Sequence, residues 1–103
     1  MPALTADQTA ALKARATRAK APFYDRFSKG VRDAQRALDA ILAVYGHDPD
    51  VLVLELHAFL ADGPAWDCTA YQDGGAAVHD DVDAILDGDQ AVIEELLTED
   101  KEN

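Results

Sequence analysis

Large apolar residues recur every three or four positions between Phe23 and Tyr45, and no other pattern in the chain limits the fold as strongly. Side chains at these spacings share one face of an α-helix, whereas a half-buried strand would need strict alternation. The series consists of Phe23, Phe27, Val31, Ala34, Leu38, Ile41, Leu42 and Tyr45. It predicts one long amphipathic helix that ends at Gly46 and buries this face against other elements.

A first helix is predicted over about residues 5–20. Thr5 and Gln8 have the spacing of a capping box, and an alanine-rich stretch with high helix propensity follows them. Pro22 disfavours helical geometry in the residue before it and suits the first turn of a new helix. We therefore expect Pro22 to separate the first helix from the long second one.

The most apolar segment of the chain lies between a start signal, Asp48-Pro49, and a stop signal, Gly63-Pro64. Residues 51–56 would also suit a β-strand, because β-branched and large apolar side chains alternate there. The fourteen residues from Pro49 to Asp62, together with the caps, favour a helix. We expect this third helix to be central and buried on most sides.

Residues 64–75 are predicted to form an ordered loop. The Gly74-Gly75 pair indicates irregular backbone, since glycine commonly interrupts regular elements. The aromatic residues Trp66 and Tyr71 are expected to fold back onto the core.

Two further helices are predicted after this loop. One near residues 76–86 would bury a stripe formed by Val78, Val82, Ile85 and Leu86. Gly88 then separates it from a final helix that Asp89 can cap. The buried stripe of that final helix would comprise Val92 or Ile93, Leu96 and Leu97. Because 103 residues leave room for one core, the prediction is a single all-α domain over residues 1–103, a compact bundle of four to five helices.

Charge is divided between the two halves of the chain. Residues 1–36 carry eight basic and three acidic side chains, a sum of plus five, and residues 37–103 carry one basic and seventeen acidic side chains, a sum of minus sixteen. No Lys or Arg occurs from Ala37 to Asp100. The predicted domain thus has basic N-terminal helices, about residues 5–45, and an acidic C-terminal half, residues 47–100.

Opposite charges also alternate along the outer side of the long helix. Asp25 precedes Lys29 by four residues, Asp33 precedes Arg36 by three, and Arg36 precedes Asp39 by three. Pairs at these spacings are neighbours on a helix surface, so we expect them to neutralise much of the basic charge locally.

The overall charge and the cysteine content exclude several classes of protein. A net charge of −11 disfavours contact with phosphate backbones and anionic lipids, so we expect neither direct nucleic-acid binding nor membrane association. Cys68 is the only cysteine, which rules out an intramolecular disulfide. The apolar runs are too short for a membrane span, and the N-terminal segment lacks the apolar stretch of a secretory signal. These features predict a cytoplasmic protein.

No set of residues predicts an enzyme. His57 and His79-Asp80 are similar to the metal-binding pattern of the HD phosphohydrolases, but this chain has about half the length that such a domain needs. Cys68 has neither a base near it in sequence nor a second cysteine, so an inert thiol is the simplest interpretation. We predict a non-enzymatic protein without a cofactor or a metal site.

A row of carboxylates on the predicted fourth helix is the strongest candidate for a working surface. At 100° per residue, Asp80, Asp83 and Asp87 fall within an arc of about 60° opposite the apolar stripe. Neighbouring acids extend the row. The predicted partner-binding residues are Asp80, Asp81, Asp83, Asp87, Asp89, Glu94 and Glu95.

Such a row could imitate a phosphate backbone. Carboxylates three or four residues apart on a helix are separated by about 4.5 to 6 Å along its axis, and the phosphates of one DNA strand by about 3.4 Å. In charge and size alone the chain resembles small acidic inhibitors carried by phages and mobile elements, including anti-restriction and anti-CRISPR proteins. That resemblance implies a cationic, nucleic-acid-binding protein as the partner.

Two alternatives remain open from the sequence. The acidic residues could form only a solvated face. The chain could instead be a helical interaction or assembly module, such as an immunity protein, a phage assembly chaperone or a small subunit. In that case residues 13–36 could pair with the acidic face of a second copy in a homodimer. The same attraction could equally pack the first helix against the fourth within one molecule.

Overall fold

Five α-helices and no strand make up the part of the chain that the computed structural model describes, residues 4–17 and 26–102. In chain order they are α1 (Ala6–Thr17), α2 (Arg26–Tyr45), α3 (Pro49–Asp62), α4 (Thr69–Leu86) and α5 (Gln90–Glu102). The all-α bundle predicted from the sequence is therefore confirmed. The predictions that concern Pro22 and Asp25 lie outside the described residues.

Local sequence signals position the helix ends. The Thr5 amide donates to Gln8 Oε1 at 2.8 Å and the Gln8 amide donates to Thr5 Oγ1 at 3.0 Å, which confirms the capping box. Asp48 Oδ1 accepts a hydrogen bond from the Val51 amide at 3.3 Å, as predicted for the cap of α3. Gly63 ends α3 with φ of 71°, a left-handed conformation that favours glycine.

The centre of the bundle is α4, which contacts each of the other four helices. Its stripe of Val78, Val82 and Ile85 is fully buried, as predicted. The core gathers around this stripe with apolar side chains from every helix. The other fully or nearly fully buried large members are Leu12, Val31, Leu38, Leu52, Leu56, Ile93 and Leu96.

The prediction that the third helix is central was wrong. Among the described helices α3 contacts only α2 and α4, and its buried residues are Leu52, Val53 and Leu56. Leu54, between two of them, is 64% exposed. The high apolar content of α3 therefore exceeds what its one covered side can bury, so composition overstated its burial.

The predicted loop over residues 64–75 is confirmed for residues 64–68 and wrong beyond them, because α4 begins at Thr69 and contains Gly74 and Gly75. These glycines let α2 and α4 approach to backbone contact. A Cβ atom on Gly74 would lie 2.0 Å from the carbonyl oxygen of Phe27, and a Cβ atom on Gly30 would lie 2.1 Å from that of Tyr71. Glycine here serves close helix packing and not irregular backbone.

The two aromatic residues expected to fold back on the core behave differently. Trp66, in the connection before α4, is 66% exposed, so the prediction was wrong for this residue. Tyr71 lies in the first turns of α4 and is half-buried. Its hydroxyl reaches across to α2, where it donates to Asp33 Oδ2 at 2.5 Å.

Packing of α1, which the sequence left open, involves α5, α2 and α4. Ala11 and Leu12 are fully buried in this position. Two side-chain amides also tie α1 to its neighbours: Gln8 Nε2 donates to the Ile85 carbonyl at 2.9 Å, and Gln35 Nε2 donates to the Arg15 carbonyl at 3.0 Å.

The predicted ion pairs along α2 are not formed where they can be assessed. Among the described residues, Arg36 makes no ion pair with Asp33 or Asp39. Asp33 instead turns towards α4 and accepts the hydrogen bond from Tyr71. A buried contact between helices thus replaces a solvent-exposed pair that would contribute only a few tenths of a kcal/mol, about 0.3.

Candidate functional site

Six of the seven predicted partner-binding carboxylates are exposed. We call these six the acidic face: Asp80, Asp83, Asp87, Asp89, Glu94 and Glu95. None of them forms an ion pair with another residue in the described part of the chain. Their charges are therefore not neutralised by the basic half of the described chain, and they remain available to a partner.

The α4 part of the acidic face is held rigidly. Asp80, Asp83 and Asp87 lie on the solvent side of the helix, opposite the fully buried Val82 and Ile85. Because a helix rises 1.5 Å per residue, the row is about 10 Å long. Asp has a short side chain, so each carboxylate stays close to a backbone that the core fixes in place.

The α5 part of the acidic face begins with a helix cap. Asp89 Oδ1 accepts hydrogen bonds from the amides of Ala91 at 3.2 Å and Val92 at 3.4 Å, which confirms Asp89 as the cap. Glu94 and Glu95 are exposed one turn further on. Buried Ile93 and Leu96, predicted for this stripe, anchor the helix, while Val92 and Leu97 are partly buried.

Asp81 differs from the other six because it forms an ion pair with a described residue of the same molecule. Its Oδ2 lies 2.6 Å from Nε of Arg15, a residue of α1 whose side chain is only 3% exposed. Asp81 itself is about one-third exposed, at 35%. This ion pair packs α1 against α4, one of the two arrangements that the charge division of the sequence allowed, and we leave Asp81 out of the acidic face.

A cleft of about 250 Å³ between α2, α3 and α4 was not anticipated from the sequence. We call it the central cleft. Its larger lining residues are Asp33, Phe59, Asp62, Tyr71 and His79. Small residues, among them Gly30, Gly63 and Gly75, complete the lining.

A second opening, the side cleft, adjoins the first on the α4 side. It has a volume of about 360 Å³ and shares Gly63 and His79 with the central cleft. Asp80 and Asp83 of the acidic face line it. The acidic face is therefore continuous with the cleft system, and the ring of His79 lies between the two openings.

His79 is a buried imidazole in an unusual setting. Its ring stacks on Phe59 with centroids 4.1 Å apart and an angle of 17° between the planes. The residue is 9% exposed, and Nδ1 is buried without a hydrogen-bond partner. Burial lowers the pKa of His79 below its ordinary value of 6.5, against the opposing effect of the Asp80 charge. The imidazole is thus neutral at pH 7.

Tyr71 and Asp33 also line the central cleft. The hydrogen bond to the Asp33 carboxylate, followed by burial, raises the pKa of Tyr71 above its ordinary value of 10.0. Tyr71 therefore remains a hydrogen-bond donor at neutral pH and fixes one oxygen of Asp33.

Two sequence signals could have pointed to this cleft. His79 follows Val78 within an apolar stripe, a position that predicts a buried ring. Glycines inside two helical patterns, Gly30 and Gly74-Gly75, are typical of helices in close contact. Neither signal indicates that Asp33 and Asp62 would face the same space, because that depends on contacts between distant parts of the chain.

The structure does not support the metal-site alternative within the part of the chain it describes. His57 is exposed on α3, whereas His79 is buried against Phe59. No group of three His, Cys, Asp or Glu side chains among the described residues is arranged to hold a metal ion. In residues 4–17 and 26–102, moreover, no helix is both long enough and apolar enough to cross a membrane.

Protonation of His79 is expected to make stability depend on pH. Because its pKa is lower in the folded protein than in the unfolded chain, the unfolded state binds more protons below about pH 6.5. The free energy of unfolding should hence be unaffected above pH 6.5 and decrease as pH falls through the folded pKa. Urea unfolding between about pH 5.5 and 7.5 measures this decrease.

His79→Phe keeps a stacked ring and removes the titrating group, so its stability should change less over this pH range than that of the wild type. His57→Gln removes an exposed histidine and serves as the control. An identical pH dependence of the wild type and His79→Phe would contradict the assignment to His79.

Comparisons with known proteins do not assign this site. No protein-family description matches the sequence, and comparisons with curated proteins and with solved structures found no significant similarity.

Proposed function

We propose that this protein binds a cationic, nucleic-acid-binding protein through the acidic face and blocks it by imitating a phosphate backbone. The observation that carries the proposal is that all six carboxylates of the acidic face are exposed and none is paired with a basic residue that the structure describes. A surface of one sign attracts a partner of the opposite sign over long range and accelerates its association.

The rigidity of the carboxylate row on α4 favours imitation of a phosphate backbone over an acidic face that only contacts solvent. Fifteen of the twenty acidic residues are Asp, which has lower helix propensity than Glu but holds its charge nearer the backbone. Preorganised groups lose less entropy on binding than flexible ones. The row on α4 meets this condition because the central helix of the bundle carries it.

Reversal of three charges tests the proposal. We expect the variant with Asp80, Asp83 and Asp87 all changed to Lys to fold and to lose at least about 100-fold in affinity for the partner, since close interfacial charge pairs contribute about 1.5 kcal/mol or more each. The measurement is capture of a partner from a bacterial lysate, with duplex DNA as competitor, followed by titration of the purified partner.

The matched control reverses three exposed acids outside the acidic face, Asp39, Asp50 and Asp73. It changes the net charge equally, and its affinity should fall less than about tenfold. Retention of the partner by the first variant, or a partner that DNA does not displace, would refute mimicry by this face.

An assembly module is the second candidate function, and exposed apolar side chains favour it. Leu54 and Trp66 are each about two-thirds exposed, at 64% and 66%. Pairing of residues 13–36 with a second copy is less favoured, because Arg15 already contacts Asp81 within the molecule. Light scattering across a salt series separates the candidates: a dimer that persists as salt increases supports assembly through apolar side chains, and a monomer throughout contradicts it.

A further inference from the structure

We propose that the central cleft binds the guanidinium group of an arginine side chain presented by the partner protein. The claim that the partner protein supplies this arginine rests on the proposed function. The chemistry of the cleft can be argued and tested separately, from the groups that line it.

Hydrogen-bond acceptors line the cleft from more than one side. Asp33 projects from α2 and Asp62 from the last residue of α3. Tyr71 occupies one oxygen of Asp33, while the Asp62 carboxylate makes no hydrogen bond or ion pair with any described residue. None of the described residues that line the cleft is Lys or Arg. The cleft therefore offers two carboxylates without a cation of its own, which suits a ligand that carries a positive charge and several donors.

His79 supplies an independent indication of a ligand. His79 is nine-tenths buried and lines both clefts, and its buried Nδ1 atom has no hydrogen-bond partner among the described residues. A buried polar atom without a partner is costly, and such atoms in folded proteins usually have one. A guanidinium group has five N–H donors, enough to serve His79 and both carboxylates.

The shape and walls of the cleft favour arginine over other cations. Phe59 and Tyr71 provide aromatic surface, on which a planar guanidinium stacks better than a compact ammonium group. The volume of about 250 Å³ lies below the roughly 300–1,000 Å³ of sites for drug-sized ligands. The cleft thus suits a single side chain rather than a larger molecule.

Continuity with the acidic face links the arginine to the partner. Asp80 and Asp83 line the side cleft, which shares Gly63 and His79 with the central cleft. A basic surface docked on the acidic face would therefore lie beside the cleft entrance, where one arginine could insert as an anchor.

The test uses N-acetyl-arginine amide as the probe, which presents the side chain without terminal charges. We expect saturable shifts in the nitrogen-15 NMR spectrum at amides near Asp62, Tyr71 and His79. N-acetyl-citrulline amide has nearly the same shape without the charge and should bind at least about tenfold more weakly, since hydrogen bonds to charged groups are the stronger ones.

Asp62→Asn and Asp50→Asn provide matched variants, because both acids lie on α3 and only Asp62 lines the cleft. Asp62→Asn should weaken probe binding about tenfold, and Asp50→Asn less than about twofold. Equal effects of the two variants, equal binding of the citrulline probe, or the absence of saturable shifts would each overturn the proposal.

Failure of the cleft and failure of the proposed function can be told apart. If the arginine probe does not bind while charge reversal on the acidic face still abolishes partner capture, only the inference about the cleft is wrong. If the probe binds as expected but reversal leaves partner capture unchanged, the cleft stands and the mimicry proposal is wrong.

Discussion

Replacing Gly74 with alanine is expected to lower the free energy of unfolding by about 3 kcal/mol or more. The added Cβ would lie 2.0 Å from the carbonyl oxygen of Phe27 and 3.0 Å from the amide nitrogen of Val31, both backbone atoms of α2. Backbone cannot rotate aside as a flexible side chain can, so α2 and α4 would have to separate and loosen the core between them. Urea unfolding followed by circular dichroism measures the loss.

The sign of this change is decisive, because helix propensity alone predicts the opposite result. In a helix interior, alanine is more favourable than glycine by about 1 kcal/mol. Gly88→Ala is a suitable control, since a Cβ there would meet nothing within 4 Å and only the positive φ of 79° opposes it, at a cost of about 1–2 kcal/mol. A Gly74→Ala variant as stable as the wild type would contradict the close packing of α2 and α4.

The same glycines show why one part of the fold escaped prediction. Capping residues act within a few positions, and so Thr5, Asp48 and Asp89 could be recognised from the sequence. A Gly-Gly pair has two meanings, an irregular loop or a close helix contact. The contact that decides between them joins Gly74 to Phe27, two residues far apart in the chain.

The candidate site likewise has a part that the sequence predicted and a part that it did not. Helical periodicity correctly predicted that Asp80, Asp83 and Asp87 are exposed, because Val82 and Ile85 determine which side of α4 is buried. The central cleft could not be predicted, since three helices must pack before its walls meet. Composition also led to a wrong position for the third helix. Apolar content determines how much surface a helix could bury, whereas its neighbours determine how much of that surface is buried.

Asp81 shows how far a single helical position matters, since it follows Asp80 directly and faces α1 instead of solvent. We expect Asp81→Asn to lower the free energy of unfolding by about 2–3 kcal/mol. Removal of one partner from a buried ion pair typically costs about 3–5 kcal/mol, because the remaining charge stays in a poorly solvated position. Arg15 is 3% exposed, but Asp81 is 35% exposed, so solvent screening reduces the expected loss.

Asp80→Asn removes the same charge from the adjacent, exposed position and should change stability by less than about 0.5 kcal/mol. Urea unfolding of both variants at pH 7, at low and at high salt, compares them directly. Equal changes in the free energy of unfolding would mean that the contact between Arg15 and Asp81 contributes nothing beyond the effect of net charge. A larger loss of stability for Asp81→Asn, with partner binding retained by the folded variant, would instead show that Asp81 stabilises the packing of α1 against α4. Recognition would then depend on the six exposed carboxylates.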